Sequence, residues 1–422
     1  MNRMFFNAFA TGLLATSFTM DLPAADWSQY RGPAGTGISA ESVDTHQAKA
    51  ATLAADWKSE TPLGFSSFAI ADGRAFTVIA KEDSEVTLAL DADTGKTLWE
   101  FPMGSSKYKQ GGGNAGARGN GGGDGPRSTP AIDGDKVYVY DSYMVLHCLN
   151  AKTGKLQWKQ DILEDYFGRQ IRWLNASSPV IIDDIVIVSG GGKGKSFLAF
   201  NKATGEQAWA SGDETITHAT PVIGNLGGKD QVVFFVQSGL VGVDYKTGKE
   251  LWRGKFPFSV STAASPVIDG NFIYCSAGYG VGASLFEVDL SGSEPQVKQR
   301  WFKSNELMNH WSTPVLHNGH LYGLFEFKKY GTAPLQCVEL ATGEIKWKER
   351  GFGPGNCILV GETLVVLSDA GEVVLVDADP SEYNELSRSD VLEGKCWSTP
   401  AYSDGSVFVR STLEAAKVPV AK

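Results

Sequence analysis

Ala89-Leu90-Asp91-Ala92-Asp93-Thr94-Gly95-Lys96-Thr97-Leu98-Trp99 recurs along this chain, and the recurrence settles the architecture. It returns as Cys148-Leu149-Asn150 with Thr153, Gly154 and Trp158. Further copies are Ala199 to Asn201 with Thr204, Gly205 and Trp209; Gly242 to Asp244 with Thr247, Gly248 and Trp252; and Cys337 to Glu339 with Thr342, Gly343 and Trp347. The common form is small-x-Asp/Asn/Glu-x-x-Thr-Gly-x-x-x-Trp, and each position has a physical reason. An apolar strand ends at the acidic or amide residue, whose side chain caps the turn by accepting from backbone N–H groups two or three residues on. Gly supplies the positive φ that a short hairpin loop needs. The Trp on the return strand offers a wide flat surface to bury against the next unit.

A second signature precedes each hairpin: Ser/Thr-Pro, an apolar strand, a Gly turn and another apolar strand. It starts at Ser128-Thr129-Pro130, Ser177-Ser178-Pro179, Ala219-Thr220-Pro221, Ala264-Ser265-Pro266, Ser312-Thr313-Pro314 and Ser398-Thr399-Pro400, with degenerate copies at Ser67-Phe68-Ala69 and Asn356-Cys357-Ile358. The two signatures together make four strands per unit, the blade of a β-propeller. Trp57, Trp99, Trp158, Trp209, Trp252, Trp301 and Trp347 are the docking residues, with a Trp-less slot near Glu385 to Val391. The starts number eight, so the reading is an all-β, eight-bladed propeller. Trp57 precedes the first start and no Trp hairpin follows Pro400, so the strand around Ala54 to Glu60 is expected to complete the blade begun at residue 397. That pairing leaves no open sheet edge.

The chain has 422 residues and a formal net charge of −10, which argues against a nucleic-acid partner, because such a partner selects a basic stripe. Residues 1–25 read as a secretory signal: Arg3, an apolar run from Met4 to Met20, then Leu22-Pro23-Ala24-Ala25. Residues 26–53 read as a leader packed across one face and 54–422 as the propeller, interrupted by a Gly-rich insert over 104–125. The expectation is a periplasmic or secreted monomer with no transmembrane segment and, lacking a Cys at the processing point, no lipid anchor. Among the five cysteines, Cys148 and Cys337 occupy small buried strand positions, whereas Cys357 and Cys396 lie near the starts of consecutive blades, where a disulfide is one alternative and two free thiols the other.

Two lookalikes carry no chemistry. Gly190-Gly191-Gly192-Lys193-Gly194-Lys195-Ser196 imitates a phosphate-binding loop, but Ser189 stands where its first Gly belongs and a strand follows instead of a helix. Asp91-x-Asp93 and Asp377-x-Asp379 lack the other ligands of a calcium loop; no metal site is expected. The informative residues are those just before the Ser/Thr-Pro starts, because the first strand of a blade is innermost and its approach rings the channel mouth. Arg127, Ala176, His218, Ala263, Trp311 and Trp397 hold that position, Phe65 stands opposite, and Arg172, Trp173, Asn175 and His310 are adjacent. Aromatic plates with guanidinium and imidazole groups suit a planar anionic ligand; the competing reading is that the aromatics plug the channel. No catalytic residue is assigned.

The repeated small-x-Asp-x-x-Thr-Gly-x-x-x-Trp motif resembles that of the pyrroloquinoline-quinone (PQQ) repeat family, over the chain from Trp57 onward. The resemblance implies a quinoprotein-like propeller and two functional branches: PQQ-dependent alcohol dehydrogenases, and cofactor-free relatives such as the propeller lipoprotein of the barrel-assembly machinery. The sequence departs from the dehydrogenase branch, having no vicinal Cys pair and no Asp or Glu at the mouth positions. The expectation is therefore an exported, non-enzymatic scaffold that binds a protein or peptide and needs no cofactor. The alternative is an oxidoreductase using PQQ with calcium at the channel mouth.

Overall fold

A computed structural model describes residues 26–50, 52–108, 125–326 and 332–420. The segment read as a signal and most of the Gly-rich insert lie outside the described residues. Eight antiparallel sheets follow one another around an axis, each with its first strand innermost, as the repeat count requires. Blade 1 comprises Ala69–Ala71, Arg74–Lys81, Ser84–Asp91 and Thr97–Ser105. The inner strands of blades 2 to 7 are Ala131–Asp133, Val180–Ile182, Val222–Leu226, Val267–Asp269, Val315–His317 and Asn356–Val360. Blade 8 is composite: Ala401–Ser403, Ser406–Arg410 and Glu414–Pro419 come from the C-terminal end, and Trp57–Glu60 pairs antiparallel with Glu414–Lys417 as the outer strand. The ring is thus closed by hydrogen bonds between the two ends of the propeller.

The repeated hairpin is also an interblade joint. The Asp91 carboxylate accepts from the amides of Asp93 and Thr94 and from the Thr94 hydroxyl, and Asn150 and Asp244 cap their turns in the same way. The residue after each cap offers its carbonyl to the indole N–H of the preceding blade: Ala92 to Trp57, Ala151 to Trp99, Lys202 to Trp158, Tyr245 to Trp209 and Leu340 to Trp301. The turn Gly lies flat on that same indole. At Gly205, φ is +76° and an added Cβ would stand 2.7 Å from the Trp158 ring, so backbone conformation and close approach both require glycine. Gly205→Ala is expected to destabilise the protein by about 2 kcal/mol, the left-handed penalty plus the displaced ring; a urea midpoint unchanged from the parent would show that the joint carries no energy.

Trp252 departs from this pattern. The turn facing it in blade 5, Asp289-Leu290-Ser291-Gly292, lacks the Thr-Gly pair, and the Trp252 indole donates to Gln231 of its own blade.

The Ser/Thr of the Ser/Thr-Pro starts forms a girdle around the channel. The Ser67 amide donates to Thr129 Oγ1 (3.0 Å), Thr129 to Ser178 Oγ (2.9 Å), Ser178 to Thr220 Oγ1 (3.0 Å) and Ser265 to Thr313 Oγ1 (2.8 Å). The Ser265 hydroxyl reaches the Thr220 carbonyl and the Ser67 hydroxyl reaches that of Thr399. Each hydroxyl binds the backbone of the neighbouring blade, and the following Pro removes an amide that would otherwise need a partner.

The leader threads the opposite end of the channel. Trp27 bridges Ile70 of blade 1, the Ser28 carbonyl accepts from Ile132 of blade 2, and the Gln29 side chain accepts from Ile181 of blade 3. The buried Arg31 guanidinium then donates to the carbonyls of Thr313 and Pro314 in blade 6 (2.7 and 2.8 Å) and of Thr36. Ile38–Ser39 adds to the inner strand of blade 7 in parallel. A short helix, Thr45–Ala50, capped by Asp44, leads to Leu53, whose amide donates to Ser389. The channel is consequently closed at this lower end by the leader and not by the mouth aromatics.

All five cysteines are free and buried. Cys357 and Cys396 do not pair: the first packs between blades 6 and 7, its thiol directed to the Tyr322 carbonyl, while the second belongs to the core between blades 7 and 8. Burial raises both thiols to about 12.

Candidate functional site: the channel mouth

Above the leader lies a pocket of about 110 Å³ lined by Phe65, Arg127, Trp173, Ala176, His218, Ala263, Tyr279, His310, Trp311 and Trp397, with Tyr30 as its floor. The residues before the strand starts therefore do converge. Trp397 stacks on Phe65 at 4.9 Å between centroids and lies 4.3 Å from Trp311, which in turn contacts His310 at 4.7 Å. Tyr279 meets the His310 ring edge-on at 4.8 Å and lies parallel to Trp173. The Trp311 and Trp397 indoles are anchored outward, to the Pro354 carbonyl and the Asp369 carboxylate.

The polar members are arranged differently from the sequence expectation. Asn175 does not face the pocket; its side chain donates to the carbonyls of Tyr140, Asp141 and Ser177 and accepts from the Ser177 amide, folding the approach loop. Arg172 is exposed and stacks over Trp173 at 4.5 Å. His218 has both nitrogens engaged, with Arg172 O at 2.8 Å and Ser261 Oγ at 2.9 Å. A carbonyl only accepts, so Nε2 carries the proton and Nδ1 accepts from Ser261: His218 is neutral and serves the wall. Burial, then the Arg127 charge, lower it to about 4; burial, then His218 and Arg127, lower His310 to about 3. Arg127, which donates to the Trp173 carbonyl at 3.0 Å, is the one ionised side chain lining the pocket among the described residues. The site is an aromatic box with a single cation.

Tyr30 and Tyr279 were beyond the reach of the sequence pattern: Tyr279 sits in the turn between two strands of blade 5, and Tyr30 arrives with the leader. Also unforeseen is a buried acid cluster in the wall between blades 1 and 2. Glu85 is fully buried, accepts from the Tyr108 hydroxyl (2.5 Å) and the Ser142 amide (3.1 Å), and neighbours Asp141, which binds His147 Nε2 at 3.1 Å. Burial, then Asp141, raise Glu85 to about 7. Because the folded carboxyl keeps its proton to higher pH than the unfolded one, its contribution to stability is complete below about 4.5 and is lost as pH rises through about 7. The two histidines act oppositely, their contribution being present above 6.5 and lost as pH falls through about 4 for His218 and about 3 for His310. Glu85→Gln is thus expected to gain on the parent progressively between pH 5 and 8, read as the difference in urea midpoints; a pH-independent difference would refute the assignment.

The fold and the motif define the class: a PQQ-type repeat propeller. More particularly, the chain belongs to the family described as outer membrane protein assembly factor BamB, whose model matches residues 82–349. It is 24% identical over 293 residues to a tetrathionate hydrolase of Acidithiobacillus ferrooxidans, covering 69% of this chain and 50% of that protein. It is likewise 24% identical over 326 residues to outer membrane protein assembly factor BamB of Yersinia pestis, covering 75% of this chain and 65% of that one. The chain thus spans between half and two thirds of the length of these relatives. A quinohemoprotein alcohol dehydrogenase of Comamonas testosteroni shares the fold, with a TM-score of 0.64 at 14% identity over 93% of this chain and 80% of the other.

Proposed function

We propose that this chain is a non-enzymatic propeller scaffold of the cell envelope that holds a protein partner on the face carrying the channel mouth. Family membership supports this reading, and one structural observation carries it: the loop from Ile162 to Ala176, between blades 2 and 3. Phe167 is 73% exposed there. Phe167, Trp173 and Leu174 all have positive φ, at 57°, 66° and 61°. Left-handed non-Gly residues cost on the order of 1–3 kcal/mol each and persist where the surroundings impose them. Around Phe167 the surroundings do impose it: Gly192 donates to the Tyr166 carbonyl, Arg169 to that of Gly190, and Lys195 lies over the Tyr166 and Phe167 rings. At the other end of the loop the Leu174 amide donates to the Ile171 carbonyl and the Asn175 amide to that of Ser142. An aromatic side chain held rigidly in water, beside the exposed Arg169, Arg172 and Lys193, is what a protein contact uses. Phe167→Asp is expected to weaken co-purification of the full chain with envelope β-barrel assembly proteins at least ten-fold, with the melting temperature unchanged. Undiminished co-purification would overturn the reading.

The second reading, an oxidoreductase using PQQ with calcium, has the aromatic box and Arg127 in its favour, since both suit a flat anion. The donor set does not fit the calcium: no carboxylate lines the pocket among the described residues, and no three His, Cys, Asp or Glu side chains among them are placed to share a metal ion. No reaction step is derived through the quinone. Tryptophan fluorescence decides the matter. Saturable quenching by PQQ that requires calcium and is lost in Trp311→Ala would establish the second reading, and no quenching at micromolar PQQ would remove it.

A further inference from the structure

The lower end of the channel, opposite the mouth, carries a second feature that the scaffold reading does not use. In every blade the inner strand folds back through a tight turn, and alternate amides of that edge strand point away from their own sheet toward the axis. In blades 1, 2, 3 and 7 these include the amides of Ile70, Ile132, Ile181 and Leu359, and the leader satisfies all four: Trp27 O at 2.8 Å, Ser28 O at 2.7 Å, Gln29 Oε1 at 3.3 Å and Gly37 O at 2.9 Å. Three consecutive leader residues thus serve three consecutive blades. At Tyr30 the leader arches away and returns at blade 6 through Arg31. Ile223, Ile268 and Leu316 hold the equivalent register, opposite Val232, Ile273 and Leu321, as does Tyr402 of the fully buried inner strand of blade 8, opposite Val407, and these four amides have no partner among the described residues.

The side chains are left uncovered at the same place. The inner strands of blades 1 and 8 are buried throughout, whereas Val222, Ile223, Val267, Ile268 and Leu316 are all partly exposed. Beneath the leader arch they border a cavity of about 300 Å³ that includes Val222 and Ile223 and a smaller one of about 90 Å³ reaching Ile268 and Leu316. The rim is acidic on balance: Asp183, Asp184, Asp230 and Asp269 are exposed and form no ion pair among the described residues, against Lys229 and Lys246, the latter near Asp183, while the buried Arg31 borders the smaller cavity. Tyr245 and Asn225 hold two of these carboxylates, at Asp183 and Asp230, by hydrogen bonds.

We infer that this groove binds a short extended peptide of a partner protein, with aliphatic side chains flanked by Lys or Arg, which continues the track of the leader across blades 4 and 5. Its carbonyls accept from the Ile223 and Ile268 amides, its aliphatic side chains fill the cavities, and its cations face the acidic rim. The leader demonstrates the mode within the same molecule, which is strand-edge recognition with the backbone supplying affinity and the pockets supplying selection. The inference rests on the scaffold reading only in taking the ligand to be part of a protein; it concerns the opposite face.

The test uses the full chain and a fluorescein-labelled peptide, Lys-Val-Ile-Val-Lys, blocked at its C-terminus, followed by anisotropy. Saturable binding is expected, at least ten-fold weaker for the peptide with Glu at both ends. It should weaken at least ten-fold in Ile268→Arg, with amide exchange in 222–226 and 267–269 slowed when the peptide binds. Should Ile268→Arg fail to fold, the surface variant Asp269→Lys gives the same reading by loss of the preference for Lys over Glu. Equal affinity for both peptides, or unchanged affinity in these variants, overturns the inference, as does displacement of the peptide by decanoate regardless of flanking charge, which would mark the groove as a site for acyl chains. Loss of peptide binding with intact, Phe167-dependent association at the mouth face removes the groove alone. Loss of that association with peptide binding intact removes the mouth-face reading alone.

Discussion

Arg410→Ala is expected to lower the unfolding free energy by about 4 kcal/mol, within the range for removing a buried charged group that its surroundings were built to solvate. The guanidinium is 1% exposed and pairs with no carboxylate among the described residues. It donates to Thr77 Oγ1 (2.8 Å), Val78 O (2.7 Å), Thr61 O (3.2 Å) and Leu63 O (3.0 Å). Burial lowers its pKa to about 9, so the charge itself is held against a cost. What it supplies is connection. Arg410 ends the second strand of blade 8, Thr77 and Val78 lie in blade 1, and Thr61 and Leu63 follow the strand that closes the ring. One planar fork joins three pieces of chain at the seam where the propeller is circularised, which a Lys ammonium cannot do with the same geometry. Removing it strands three carbonyls, at roughly 1–3 kcal/mol for each that water does not reach, and leaves a cavity. Arg410→Met fills the space and sheds the desolvated charge, so it should cost only about half as much. Equal losses in the two variants would mean that the hydrogen bonds, and not the volume that Met restores, secure the seam. Urea unfolding measures the loss, and limited proteolysis ahead of Trp57 shows whether the closing strand opens first.

The architecture was legible because it is written many times over. A hairpin with Thr-Gly and Trp at fixed spacing occurs often enough to be counted, and the count gave the blades and the composite blade 8. The mouth was legible in part, since strand starts converge by geometry in any propeller, and Phe65, Arg127, His218, His310, Trp311 and Trp397 do line one pocket. What a side chain does there was not legible. Asn175 and His218 look like ligand-binding groups in a string of letters, yet both are consumed in holding their loops, because a buried polar group takes the nearest partner and the nearest partner is backbone. The leader was placed on a face, but its track through the channel depends on long-range amides such as those of Ile132 and Leu359. Glu85 was invisible for a similar reason: in sequence it is one more charged residue near a hairpin, and only the fold brings Asp141 and Tyr108 against it. The Ser/Thr before each Pro was recognised as a repeat without its purpose, which is the interblade girdle.

Trp252→Ala should cost roughly 3–5 kcal/mol, the range for truncating a buried Trp, and more than Trp347→Ala. Trp347 is partly exposed and its indole reaches the Asp379 carbonyl at the surface. Trp252 is 2% exposed, among Phe235, Phe256, Phe286 and Val288 in the core between blades 4 and 5. Lacking a Thr-Gly turn to rest on, its indole binds Gln231 Oε1, while the Gln231 amide donates to the carbonyls of Leu226 (2.9 Å) and Lys229 (3.1 Å). Gln231 has no exposed surface. Removing the indole therefore creates a cavity and also strands an acceptor that water cannot reach, whereas at a joint such as Trp209 the orphaned group is a single turn carbonyl. The two contributions separate in a double-mutant cycle. Gln231→Leu in the Trp252→Ala background should cost at least 1 kcal/mol less than in the parent, since its hydrogen-bond partner has already gone. Additive losses would show that the indole acts by volume alone, and a loss below about 1 kcal/mol for Trp252→Ala would show that the interface between blades 4 and 5 does not depend on it.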